Sequence, residues 1–300
     1  MKKLLLLLLA LTLVFAFAAC AQEDPAPVDE ETVGDGTEVA GEAEGGETEA
    51  ETDGEAVEDD LAYVQEKGNL VIGITIFEPM NYYDENGELI GFDTEFAQAV
   101  CAELGLTPEF IVINWDTKEI ELQSKEIDCI WNGMTIDDDR RENMLFSQPY
   151  IRNMQVAVIR TEDAATYTDT ASLSGATLVA EVSSAGENAI LADENLSQAT
   201  YVPVSKQTDA LLEVKAGTAQ AAVLDYVLAD AMVGEGTDYS DLMMIEGVEL
   251  AVEEYGIGFR LGSNLAAEVD AVIDQLAADG TLNEIAVKYG LEGQLIFNQQ

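Results

Sequence analysis

The 300-residue chain has no histidine and only 13 lysines and arginines. The first absence removes the commonest general base and metal ligand. The second leaves 59 acidic residues nearly unopposed, for a formal net charge of -46. A surface of that sign argues against nucleic acid as a partner. Cysteine is scarce: Cys20, Cys101 and Cys129. The last two stand too far apart in sequence to make a metal site, and nothing in the composition calls for a metal or a cofactor. Cys101 shares a helical face with Ala97, Val100 and Leu104, which reads as a buried thiol. A Cys101–Cys129 disulfide stays open as the second reading, because the compartment argued next permits one.

A long apolar run occurs once, from Leu4 to Ala19, interrupted only by Thr12. It follows Met1-Lys2-Lys3 and ends in Ala18-Ala19-Cys20. A positive start, an apolar stretch and small residues before a cleavage point make a secretory signal. The run is short for a spanning helix, which needs about 20 residues. Cys20 after two small residues resembles the bacterial lipobox, in which that cysteine becomes the lipidated first residue. Residues 1–19 therefore read as signal peptide, and Cys20 as a lipid anchor on the outer face of the cell membrane. An ordinary cleaved signal and an uncleaved anchor are the rival readings. Ala21 to Asp60 holds 17 Asp and Glu and no basic residue. Such a segment buries too little to offset its ordering entropy, so residues 20–60 read as an extended acidic tether. Much of the net charge lies beyond it, so the folded part is acidic too.

The remaining 240 or so residues suffice for one large domain or two small ones. Their pattern is α/β. Leu70–Ile76 is a β-branched run and reads as a buried strand. Thr94–Leu104 is apolar at helical spacing and stops at Gly105. Strands follow at Pro108–Ile113 and Asp128–Asn132, with a short helix at Thr117–Ser124 between them. The same strand–helix–strand–helix–strand unit recurs between about 177 and 224, with helices at Gly186–Ala192 and Gln207–Ala216. Strands at Gln155–Arg160 and Leu250–Phe259 and helices at Asn264–Asp279 and Leu282–Tyr289 complete the pattern. Two such units predict two parallel-sheet lobes.

Ile90-Gly91-Phe92-Asp93, the block Ile127-Asp128-Cys129-Ile130-Trp131-Asn132-Gly133-Met134-Thr135-Ile136 with Arg140, and Phe146-Ser147-Gln148-Pro149-Tyr150 resemble the polar amino acid substrate-binding proteins of ABC importers. Tyr255-Gly256-Ile257-Gly258-Phe259-Arg260 and Gly280-Thr281-Leu282 match that family as well. The likeness runs over about 61–295. It implies a periplasmic-binding-protein-like fold, two α/β lobes joined by two hinge strands. Lobe 1 would hold 61–153 and 250–300, and lobe 2 would hold 154–249. The crossings would fall near Ile151–Ile159 and Gly247–Gly256.

A free amino acid carries one carboxylate and one ammonium, so its site needs a fixed cation, a fixed anion and backbone donors. Arg140 stands where the resemblance places the carboxylate-binding arginine, and a guanidinium meets a carboxylate through two parallel hydrogen bonds. Asp225 ends an apolar strand, where ligands sit in open α/β sheets, and matches the family's ammonium-binding aspartate. It would also serve as a helix N-cap. Asn132, Gly133 and Thr135 are expected to offer backbone and hydroxyl groups. Ser184 and Ala185 open a helix whose N–H groups favour an anion. Phe77 and Trp115 match aromatic walls. Trp131 reads as core.

Ile74 stands where relatives for basic or amide ligands often carry Asp, while Glu181 beside the second lobe's loop supplies a carboxyl. A polar or cationic ligand stays open, and an acidic one is disfavoured. The expected function is capture of an amino acid and delivery to ABC permease subunits, by a monomer held to the membrane through its N-terminal lipid. Two alternatives use the same fold: a cyclohexadienyl dehydratase-like enzyme with Glu181 as acid, and a freestanding ligand sensor.

Overall fold

A computed structural model describes residues 59–298; the segments read from the sequence as signal peptide and lipidated Cys20, and nearly all of the segment read as acidic tether, lie outside them. Asp59 and Asp60, counted with that tether in the sequence, belong to the fold. Asp59 caps helix α1 (Asp60–Lys67) by accepting from the Ala62 N–H. Asp60 is buried and ion-paired, its Oδ2 3.0 Å from Arg260 Nε.

Strand β1 (Asn69–Ile74) leads to a hairpin, β2 (Tyr82–Tyr83) and β3 (Leu89–Ile90), turned at Asp84–Gly87. Helix α2 (Phe92–Leu104) stops at Gly105, whose φ of 69° supplies the left-handed cap. Then come β4 (Thr107–Val112), α3 (Lys118–Gln123), β5 (Cys129–Thr135), the one-turn α4 (Asp138–Arg141), β6 (Met144–Phe146) and β7 (Ile151–Arg160). The second unit is β8 (Thr177–Glu181), α5 (Ala185–Ala192), β9 (Thr200–Val204), α6 (Gln207–Ala216) and β10 (Ala221–Asp225). Helix α7 (Tyr226–Met232), β11 (Leu242–Arg260), α8 (Leu265–Asp279) and α9 (Thr281–Lys288) close the chain.

The main sheet runs β4-β1-β5-β11-β7-β10-β8-β9, with β6 also on β11. β4, β1 and β5 are mutually parallel, and so are β10, β8 and β9. Between the two sets stand β11 and β7, antiparallel to each other and to their outer neighbours. Each strand–helix–strand–helix–strand unit has thus become one parallel set, with two long strands joining them. The central strands read apolar because both faces are covered: β5 and β10 are buried at every position. Cys101 and Cys129 are both buried free thiols. Ile74 is fully buried in the core, and the next residue, Thr75, turns to the cleft instead. The reading that gave Ile74 a part in ligand choice is corrected by this alternation of the strand.

Candidate functional site

The C-terminal ends of β1 and β5 face those of β8 and β10 across a narrow cleft. Its wall contains Thr75, Phe77, Trp115, Asn132, Gly133, Thr135 and Arg140 from the first unit, and Glu181, Ser184, Ala185, Gln207 and Asp225 from the second. All ten residues expected from the sequence line this one cavity. The space enclosed is about 20 Å³, room for one water molecule. An amino acid needs more, so its entry requires the two walls to part.

Arg140 is 6% exposed. Its Nη1 donates to the Thr135 carbonyl at 2.7 Å, and its Nε lies 3.2 Å from Asp137 Oδ2. Asp137 also caps α4 by accepting from the Arg140 N–H. The acidic run around Arg140 is therefore what aims it. Gly133 holds φ +54°, with its N–H donated to buried Asp93 at 2.7 Å. Burial pushes the Asp93 carboxyl up to about 7. Asn132 is committed to the scaffold: it accepts from Thr75 Oγ1 and donates to the Thr75 carbonyl and to Asn81.

Asp225 stands at the N-cap position of α7, yet its side chain makes no cap bond. It is turned into the protein, where Oδ1 accepts from Asn153 (2.6 Å), Gln155 (2.8 Å) and Tyr255 (2.7 Å), and Oδ2 accepts from Gln207. Asn153 and Gln155 lie on β7, and Tyr255 on β11. The same two amides also donate to Glu253 Oε1 of β11, at 2.6 and 2.8 Å. Burial, with Asp225 close by, pushes the Glu253 carboxyl above its ordinary range. Opposite, Ser184 caps α5 by accepting from the Glu187 N–H, and Glu187 in turn accepts from the Ser183 N–H. The first turn of α5 opens onto the cavity at Ala185.

Lys118, which sequence reasoning passed over, is buried beside the cleft. Its ammonium donates to the carbonyls of Trp115 (3.1 Å) and Ser183 (3.3 Å) and lies 4.8 Å from the Trp115 ring centre. Burial, then the Arg140 charge, push it down to about 8. Arg140 Nη2 also reaches the Ser183 carbonyl at 3.4 Å, and Ser183 Oγ donates to Asp116 at 2.7 Å. Ser183, at φ +58°, thus ties one wall to the other. Glu181 is 5% exposed. Burial first, and Asp225 second, push it up to about 8. Gln207, the first residue of α6, was also missed.

Residues 70–292 match the family model described as bacterial extracellular solute-binding proteins, family 3. The L-cystine-binding protein TcyJ of Escherichia coli (strain K12) is 25% identical over 231 residues, 76% of this chain and 85% of the relative. The arginine-bound form of truncated ArgBP from T. maritima superposes with a TM-score of 0.66 at 31% identity, covering 72% of this chain and 99% of that one. The ancestral amino acid-binding protein AncCDT-1, a precursor of cyclohexadienyl dehydratase, superposes with a TM-score of 0.69 at 26% identity, covering 77% and 99%. Among the described residues no helix is long and apolar enough to cross a membrane.

Proposed function

The chain belongs to the bacterial extracellular solute-binding proteins, family 3, and from that membership we propose that it captures a free amino acid between two lobes and hands it to ABC permease subunits. The observation that carries this reading is a buried guanidinium and a buried carboxylate, Arg140 and Asp225, lining one cavity from opposite walls together with two aromatic rings, Phe77 and Trp115. Arg140 takes the ligand's carboxylate together with the N–H groups of Ser184 and Ala185. Asp225 takes the ammonium, beside the carbonyl and hydroxyl of Thr135. Gly133 lets the backbone approach, Asn132 fixes that loop, and Phe77 and Trp115 hold the side chain.

Lobe 1 comprises 61–153 and 250–300, and lobe 2 comprises 154–249. β7 and β11 serve as the hinge, bending as the walls close on the ligand. The protein acts as a monomer, held outside the membrane by a lipid on Cys20 and the acidic tether. It catalyses nothing. Calorimetry against the common amino acids tests the reading, with Arg140→Ala as the decisive variant. Removing one partner of a buried charge pair costs about 2–5 kcal/mol, so affinity falls about thirtyfold or more. A variant that binds as tightly as the parent would remove Arg140 from the site.

One observation favours a second reading, a dehydratase: Glu181 is a buried carboxylic acid in the cleft, held protonated at neutral pH. No base stands paired with it among the described residues, which weighs against catalysis. Incubation with prephenate or arogenate decides it, since product formation overturns the transport reading.

A further inference from the structure

Every charged or amide side chain on the cavity wall except one is committed. Arg140 is held by Asp137 and the Thr135 carbonyl. Asp225 accepts from four donors, and Gln207 spends its amide nitrogen on the Asp225 carboxylate and its oxygen on the Asp225 N–H. Asn132 is closed into its pairing with Thr75 and Asn81. The exception is Glu181. It ends β8, is more than nine-tenths buried and lines the cavity. Its carboxyl takes no hydrogen bond and no ion pair from any described residue. A buried polar group without a partner is costly, and a buried carboxylate more so. The group that relieves both costs at once is a cation delivered into the cavity.

Resting on the amino acid-binding reading above, we propose that Glu181 selects a ligand whose side chain ends in a cation, a guanidinium or an ammonium. The α-carboxylate and α-ammonium go to Arg140 and Asp225. The side chain runs between Phe77 and Trp115, whose faces also favour a cation, and its head meets Glu181. Lys118 does not reverse this sign, because its ammonium is already held by two carbonyls and is not part of the cavity wall.

The charged groups around Glu181 are Asp225 from β10, Lys118 from α3, Lys206 and Asp209 from the start of α6, and Arg140 across the cavity. In the closed cleft burial and Asp225 outweigh the two lysines and hold Glu181 protonated as long as no cation faces it. When the cation docks, the Glu181 O–H bond breaks, the carboxylate stays against the cation, and the proton leaves to solvent. Binding of a cationic ligand therefore strengthens as pH rises toward 8, by about tenfold per pH unit at the steepest. Binding of its neutral analogue gains nothing from this group.

The test is calorimetry of parent and Glu181→Gln with L-arginine, L-lysine, L-glutamine and L-glutamate at pH 7, in phosphate and in Tris so that proton release is read directly. Melting temperatures confirm that the isosteric variant folds. The expected result is arginine or lysine binding at least about tenfold tighter than glutamine, with about one proton more released. In the variant both differences collapse. A parent that binds glutamine or glutamate tighter than arginine and lysine overturns the proposal, and so does an unchanged preference in the variant. Either result leaves the amino acid-binding reading standing. Failure to bind any amino acid removes that reading and this one with it.

Discussion

Gly133 shows what the site demands of one residue. Its φ of +54° is a left-handed conformation, and a Cβ there would sit 2.6 Å from Phe77 Cε1 and 3.0 Å from Tyr255 Cε2. Gly133→Ala therefore meets both a conformational penalty of about 1–2 kcal/mol and a clash with the aromatic wall. The expected outcome is a lower melting temperature, and ligand affinity reduced about tenfold or more as Phe77 moves. Unchanged affinity in calorimetry would mean that this ring does not touch the ligand. Residues like Gly133, Arg140 and Asp225 were legible in the sequence because each sits in a motif whose chemistry needs that residue type. Ile74 was misread because a slip of one position in a strand exchanges core for cleft. Lys118 and Gln207 carry no local signal: they reach the cleft only because α3 and α6 begin beside it.

At the scale of elements, the repeated strand–helix–strand–helix–strand units were readable from apolar periodicity and from stops such as Gly105. The one-turn α4, the three-residue β6 and the start of α1 in an acidic run were not, since each is fixed by tertiary partners. α1 depends on Arg260, 200 positions away, which holds buried Asp60. The polar knot between β7 and β11 was equally hidden, because alternating residues of two strands distant in sequence build it. Asn153 is its centre: its Nδ2 donates to Asp225 and Glu253, and its Oδ1 accepts from the Val227 N–H at 3.2 Å. Asn153→Ala leaves three buried groups short of a partner, at about 1–3 kcal/mol for a group so stranded. A fall in melting temperature together with weaker binding of every amino acid is expected, since Asp225 loses a donor that positions it. A variant that lost only stability, with affinities intact, would make the knot a structural tie between the strands and no part of the ligand site.

The whole molecule is governed by its charge. With 59 acidic residues against 13 basic ones, most carboxylates have no cation to meet, and three of the basic residues, Arg140, Arg260 and Lys118, are nearly buried. Their bonds are shielded from salt, whereas the repulsion among surface carboxylates is not. Raising ionic strength from 0.01 to 0.1 M shortens the screening length from about 30 to about 10 Å. Over that range sodium chloride weakens the repulsion far more than it weakens the buried pairs, so the folded state gains. A gain on the order of 1 kcal/mol raises the melting temperature by about 2–4 °C in a domain of this size. The measurement is a melting series in sodium chloride at pH 7.5 without ligand. A melting temperature that fell with salt would show that favourable ion pairs, such as Lys67–Asp128 at 2.6 Å, outweigh the repulsion, and the acidity would then need another physical account.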